Sequence, residues 1–181
     1  MNAEEIAHII DRCEYQFTED DVPNPTIRLN NIPRIPKDYT PAMYWIMKWK
    51  TLPPETLLHE ATVRNAGGCT CATLWIVFCE NDIPKQLRHD PLIENKYGDT
   101  CAILWIKYCE GNVPVYLRYS PEIRNIDGLT CAMCWIWCRK SDVPEYLRHD
   151  VEIRDKEGLT CAMYWIQHCD GDVPLYLRHD L

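Results

Sequence analysis

The sequence predicts an all-α fold, a solenoid of stacked helix–turn–helix repeats, and three observations carry that prediction. The first is a motif, Thr-x-Ala-x-x-Trp-Ile, that recurs as Thr40–Ile46, Thr70–Ile76, Thr100–Ile106, Thr130–Ile136 and Thr160–Ile166, with its threonines always 30 residues apart. The second is a separate column on the same beat: Pro54, Pro84, Pro114, Pro144 and Pro174, each followed three residues later by Leu57, Leu87, Leu117, Leu147 and Leu177. The third is the spacing of apolar residues after each threonine. Positions +2, +5, +6 and +9 hold Ala, Trp, Ile and usually Cys, and on a helix turning about 100° per residue they share one face. A fixed period of this length marks an array in which each unit is covered by its neighbours. Strand signals are sparse.

Residues 1–35 read as an N-terminal capping helix and an irregular connector. Asn2 and Glu5 have the spacing of a capping box. Ile6, Ile9, Ile10 and Cys13 give one apolar face over 3–13, and Glu4, Asp11 and Arg12 give the polar outer face that the end of an array requires. A proline-rich stretch from Pro23 to Pro36 connects this helix to the repeats.

Residues 36–181 read as five repeats, at about 36–65, 66–95, 96–125, 126–155 and 156–181. Each opens on a turn. Gly68, Gly98, Gly128 and Gly158 stand two residues before the threonine and point to positive φ, which Asp38 also tolerates in the first repeat. The threonine is a good N-cap for helix one. In the fourth repeat Arg139 occupies +9 and Cys138 sits at +8, so that helix end is expected to differ. A short second helix is expected after Ile/Val-Pro, where proline suits the first turn. The Arg and His that close it, as in Tyr146-Leu147-Arg148-His149, would favour its dipole. A connector with Ile93, Ile123 or Ile153 leads to the next turn.

Composition narrows the function. The formal net charge of −8 argues against phosphate backbones and anionic membranes as partners. Eleven cysteines would suggest a secreted disulfide scaffold, but the period argues otherwise. Cys71, Cys101, Cys131 and Cys161 are equivalent, and stacked helices lie roughly 8–10 Å apart, whereas a disulfide needs Cα atoms within about 7 Å. Cys71 and Cys79 are about 12 Å apart along one helix. The thiols therefore read as small buried groups in a reducing compartment, and the expected location is the cytoplasm, or a host's cytoplasm for an effector or viral protein. No apolar run has the length of a membrane span.

The order of turn, Gly-x-Thr, short helix, tight link, second helix and connector is similar to that of an ankyrin repeat. The ankyrin signature Gly-x-Thr-Pro-x-His opens its first helix at the same place. Thr40-Pro41 keeps the Thr-Pro pair, and the later units have Thr-Cys. The period is 30 rather than about 33, with the loss in helix two. Trp replaces the first of two small alanines, and Met, Ile or Thr stands where the ankyrin His would be. The chain thus resembles a divergent ankyrin-like array over 36–181. The resemblance implies a curved solenoid whose turns and outward side of helix one form a concave, protein-binding surface. Trp45, Trp75, Trp105, Trp135 and Trp165 are expected to refill the space left by the shortened unit as a buried ladder, each contributing upwards of ~2 kcal/mol.

Three chemical readings are weaker than their structural counterparts. His59, His89, His149 and His179 are one per unit, too far apart to share a metal. Cys131, Cys134 and Cys138 have thiolate-ligand spacing, but no second Cys-x-x-Cys or nearby His completes a tetrahedron. Arg88, Arg118, Arg148 and Arg178 read as a solvated face linked to nearby acids. No P-loop, Rossmann glycines, nucleophile elbow or zincin motif is present. The expectation is a non-enzymatic module without cofactor or metal.

The outward face of helix one is more informative. Positions +4 and +7 are Tyr44, Leu74, Leu104, Cys134, Tyr164 and Met47, Val77, Lys107, Trp137, Gln167. Most are apolar where a solvated face would be charged, which reads equally as a contact surface or as a face that tight curvature buries in part against neighbouring helices. The partner-binding residues expected from this are Tyr44, Met47, Leu74, Val77, Leu104, Lys107, Tyr108, Trp137, Tyr164 and Gln167. They would serve a protein–protein interaction module that inhibits its partner or acts as an effector. The alternative is a protein that sequesters nucleic acid or a small ligand through the groove or the Arg ladder.

Overall fold

The computed structural model describes residues 3–12 and 38–178. The expected capping box at Asn2, the residue Cys13, the proline-rich connector and His179 lie outside the described residues, as do the side chains of Glu5, Ile6, Ile9, Asp11 and Arg12. The chain divides into two compact units, Met1–Asp90 and Pro91–Leu181. In the first, α1 (Ala3–Arg12), α2 (Pro41–Trp49) and α3 (Cys71–Cys79) pack in chain order. In the second, α4 (Cys101–Tyr108), α5 (Cys131–Arg139) and α6 (Cys161–His168) do the same. No strand occurs among the described residues, only an isolated bridge between Arg124 and Thr130. The described chain is an all-α repeat array with the ankyrin-like order of elements.

The helices start where the threonines place them. Thr40, Thr70, Thr100, Thr130 and Thr160 each accept a hydrogen bond from the backbone N–H three residues on, and every one is fully covered. Such a cap is worth about 1 kcal/mol. The residue two before it has positive φ in every unit: 62° at Asp38, then 73°, 70°, 82° and 84° at Gly68, Gly98, Gly128 and Gly158. At Gly98 and Gly128 a second constraint applies. A Cβ would stand 2.7 Å from the Ile126 nitrogen or 2.9 Å from the Lys156 nitrogen. Successive turns approach that closely because Ile126 N–H donates to the Tyr97 carbonyl and Lys156 N–H to the Asp127 carbonyl, both at 3.0 Å.

A polar residue at the base of each turn, not singled out from the sequence, holds it shut. Oδ1 of Asn65, Asn95, Asn125 and Asp155 accepts the N–H groups two and four residues on, at 2.8–3.0 Å. The short side chain thus satisfies backbone donors that would otherwise be orphaned.

Helix ends follow two patterns. After α2, α3 and α5 the next residue (Lys50, Glu80 or Lys140) takes the left-handed conformation. The residue after that then supplies an acceptor to the tryptophan: Trp45 Nε1 donates to Thr51, Trp75 Nε1 to Asn81 and Trp135 Nε1 to Ser141, at 3.0, 2.7 and 3.1 Å. In the other two repeats that residue is Gly111 or Gly171. The helix stops one residue earlier, the glycine takes positive φ, and the buried N–H groups of Trp105 and Trp165 have no acceptor. The fourth repeat, expected to end differently because of Arg139, instead ends as the first two do; the departures fall in the third and fifth repeats and follow residue +11. All five indoles are buried, with 6–7% of each exposed.

The second element is a single 3-10 turn rather than an α-helix: Lys85–Leu87, Val115–Leu117, Glu145–Leu147 and Leu175–Leu177, with a longer one at Glu55–Glu60. Proline is its cap, in an extended conformation, and the leucine N–H bonds back to the proline carbonyl. The arginine and histidine do not serve a helix dipole. Arginine Nε returns to the carbonyl five residues earlier, 2.9 Å in Arg88 and Arg118, 3.1 Å in Arg148 and 2.7 Å in Arg178. Histidine Nε2 meets the cap threonine, 2.6 Å from His89 to Thr70 and 2.7 Å from His149 to Thr130. These side chains satisfy groups that another helical turn would otherwise cover.

Candidate interaction groove

The expected contact face divides sharply. Six consecutive residues are buried from the start of each of α2 to α5, so the +4 position is interior: Tyr44 is 6% exposed, Leu74 and Leu104 4%, and Cys134 0%. The reading of Tyr44, Leu74 and Leu104 as outward contact residues is corrected. A helix of eight or nine residues held between two others, as α2 lies between α1 and α3 and α5 between α4 and α6, is covered on more than a single stripe. Tyr44 packs with Ala7, Ile10 and Trp45, and Met47 lies half-buried against that cluster. Trp49 Nε1 reinforces it by donating to the Ile10 carbonyl at 2.8 Å.

Exposure begins at +7. Val77 is half-buried, and Tyr108 (+8), Trp137 and Gln167 are exposed. Lys107 is half-buried and its ammonium lies 2.7 Å from Asp99 Oδ2. Burial works against that charge, but the hydrogen bond and charge of Asp99 outweigh it and the lysine pKa is raised. Asp99 is itself buried and accepts from Asn125 Nδ2 at 3.0 Å. Lys107 thus belongs to an internal polar network rather than to a free surface.

In the second unit Trp137, Tyr164 and Gln167 come together with two turns to line a groove of about 390 Å³. Leu129 and Leu159 line it from the turns, His168 from the end of α6, Asp155 from the base of its turn, and Asp127, Lys156 and Glu157 from the turn tips. Lys107 and Tyr108 do not line it. Nearly half of the Trp137 surface is open, 48% against 7% for Trp135 two residues earlier. Tyr164, at +4 like Tyr44, is also buried, with 9% exposed, so its reading as an outward contact residue is corrected too. It lines the groove from this buried position, where its hydroxyl donates to Asp155 Oδ2 at 2.7 Å and its ring stacks on His168. Burial first, then the Asp155 hydrogen bond and charge and the Glu157 charge, keep this phenol protonated well above the ordinary tyrosine range. The turn-tip residues carry no repeat signal, since the position of Asp127 and Glu157 is Gly67 and Tyr97 in the earlier turns.

The remaining chemical readings resolve into structure. His89 and His149 each have Nδ1 against the next residue's carbonyl, at 2.8 and 2.7 Å. That leaves Nε2 to accept from threonine, and both ring nitrogens are committed. Tyr119 replaces the histidine in the third repeat and meets Thr100. The Arg118 and Arg148 guanidinium groups stack 3.7 and 3.8 Å from the ring centres of Tyr146 and Tyr176 in the following repeats. Those tyrosine hydroxyls accept from the N–H of Val113 and Val143, at 3.0 and 2.8 Å. Arg118 and Arg148 therefore cement neighbouring repeats, with no ion pair to an acid among the described residues, while Arg88 lies 3.3 Å from Asp82. All ten described cysteines are thiols. Burial pushes Cys79 up to about 11 and Cys131 and Cys161 up to about 12, so thiolate is disfavoured. No group of metal-ligating side chains converges among the described residues, and no described helix is long and apolar enough to cross a membrane.

No family model matches the chain, and no curated protein matches it. Among solved structures it is similar to the ankyrin repeat domain of Bcl-3, described as a unique member of the IkappaB protein family, at 15% identity and a TM-score of 0.49, covering 73% of this chain and 67% of that one. It is also similar to EF0377, an ankyrin repeat protein, at 12% identity and a TM-score of 0.49, covering 92% of each chain.

Proposed function

We propose that this chain is a non-enzymatic protein–protein interaction module and that the groove around Trp137, Tyr164 and Gln167 is its docking surface. One observation carries the reading. The other polar and aromatic columns of the repeat are largely spent on caps, turns and inter-repeat contacts, while Trp137 leaves half its indole open at the rim of a groove. An accessible aromatic beside a concavity is the usual anchor of a binding hot spot. Of the other +7 residues, Gln167 shares this groove, while Met47, Val77 and Lys107 are held half-buried. The buried thiols suit a reducing compartment, so the proposed location is cytoplasmic, and blocking of the bound partner is the proposed mode of action. Sequestration of nucleic acid is disfavoured by the net charge and by the stacking that occupies Arg118 and Arg148.

The test compares proteins captured by the wild-type chain and by Trp137→Ala, with circular dichroism confirming that both baits are folded. A partner retained by the first and lost by the second is expected. Identical capture by both would remove the groove from consideration.

A further inference from the structure

We infer that the groove receives a cationic side chain, arginine or lysine, carried by an extended segment of the partner; this rests on the groove being the docking surface. Three carboxylates, Asp127, Asp155 and Glu157, line it against the single ammonium of Lys156. They are not equivalent. Asp155 is consumed locally: Oδ1 accepts two backbone N–H groups and Oδ2 accepts the Tyr164 hydroxyl. It contributes negative charge but little free accepting capacity. Asp127 and Glu157 are exposed, occupy equivalent positions in successive turns, and are held by no ion pair among the described residues.

The backbone donors at the rim are already used. The N–H groups of Asp127 and Leu129 go to Asn125, those of Glu157 and Leu159 to Asp155, and that of Lys156 to the Asp127 carbonyl. A ligand reaching this rim meets acceptors and negative charge rather than backbone donors. Guanidinium and ammonium groups are donor-only cations that complement such a rim. The open indole of Trp137 adds an aromatic face on which the same cation can stack. Phosphate and acidic peptides would be repelled by the same groups.

Titration of the whole chain with a blocked tetra-arginine peptide, and with its neutral tetra-citrulline isostere, tests this. The arginine peptide should bind and the citrulline peptide should bind at least about 10-fold more weakly, with the difference shrinking as salt rises. Asp127→Asn with Glu157→Gln should remove most of that preference. Trp137→Ala should weaken binding about 2- to 30-fold, the range of a cation–aromatic contact. Glu145→Gln, the same single-charge change as Glu157→Gln but outside the groove, should alter binding less than about 2-fold, as for a screened distant charge. Equal affinity for both peptides, or equal loss from Glu145→Gln and Glu157→Gln, would overturn the inference. The carboxamide variants keep the test independent of folding, since Asp127 and Glu157 are exposed. If the captured partner depends on Trp137 but is indifferent to both carboxamide changes, the docking surface stands and the cationic ligand falls. If it is indifferent to Trp137→Ala as well, both fall.

Discussion

Trp135 and Trp105 occupy the same place in adjacent repeats and differ by one hydrogen bond, which makes a matched pair of substitutions informative. Trp135 Nε1 donates to Ser141 Oγ at 3.1 Å, whereas the buried Trp105 Nε1 has no acceptor because residue 111 is glycine. Ser141→Ala leaves a buried donor unsatisfied and should cost about 1–3 kcal/mol. Gly111→Ser runs the change in reverse. To place its hydroxyl under Trp105, the helix exit must shift so that Glu110 takes the left-handed conformation that Lys140 adopts at φ 51°. That costs about 1–2 kcal/mol. Relief of the orphaned donor returns about 1–3 kcal/mol, and stiffening the unfolded chain adds roughly 0.4–1 kcal/mol. The expected net is a gain of about 1 kcal/mol. Space is not limiting, since a Cβ at 111 meets nothing within 4 Å. Gly111→Ala is the control: it brings no acceptor and should only lose about 1–2 kcal/mol in the left-handed region. Urea melts of the three variants read the free energies, and the Trp105 indole proton resonance reports whether the new bond forms. Equal destabilisation by Gly111→Ser and Gly111→Ala, or a costless Ser141→Ala, would refute the argument.

Trp135→Ala should cost roughly 3–5 kcal/mol as a buried large-to-small change, and Trp137→Ala about half as much because half of its surface is already open, read by the same melts. Ile136 is 0% exposed and Ile166 is 69% exposed at the end of the described array. Ile136→Asp should therefore cost about 4 kcal/mol or more and Ile166→Asp less than about 0.5 kcal/mol. Stability should fall in alkali: burial raises Cys131 and Cys161 from 9.0 to about 12, so above pH 9 the unfolded chain releases protons that the folded chain keeps. Each such thiol contributes stability fully present below pH 9 and lost progressively toward pH 12, at a limiting slope of about 1.4 kcal/mol per pH unit. Melts at pH 7 and 10.5 check the slope, and Cys131→Ala should flatten it.

The sequence by itself determined the period, the helix starts, the positive-φ turns and the buried tryptophan column. Each is set by interactions that begin and end within a few residues: a threonine hydroxyl and the N–H three positions on, a backbone angle at Gly128, an apolar face of one helix. The second element escaped it, because three residues after a proline read alike as a helix start and as one 3-10 turn. What decides between them is where Arg148 and His149 send their nitrogens. Tertiary structure alone decided which part of helix one is open. Leu104 and Trp137 both lie off the stripe of +2, +5, +6 and +9, and a helical wheel treats them alike. The packing of adjacent repeats covers +4, leaves Met47, Val77 and Lys107 half-buried at +7, and opens that position only at Trp137 and Gln167. The groove has the same origin: Asp127 and Glu157, 30 residues apart, become neighbours because one turn hydrogen-bonds to the next, a contact that no local pattern in either turn specifies.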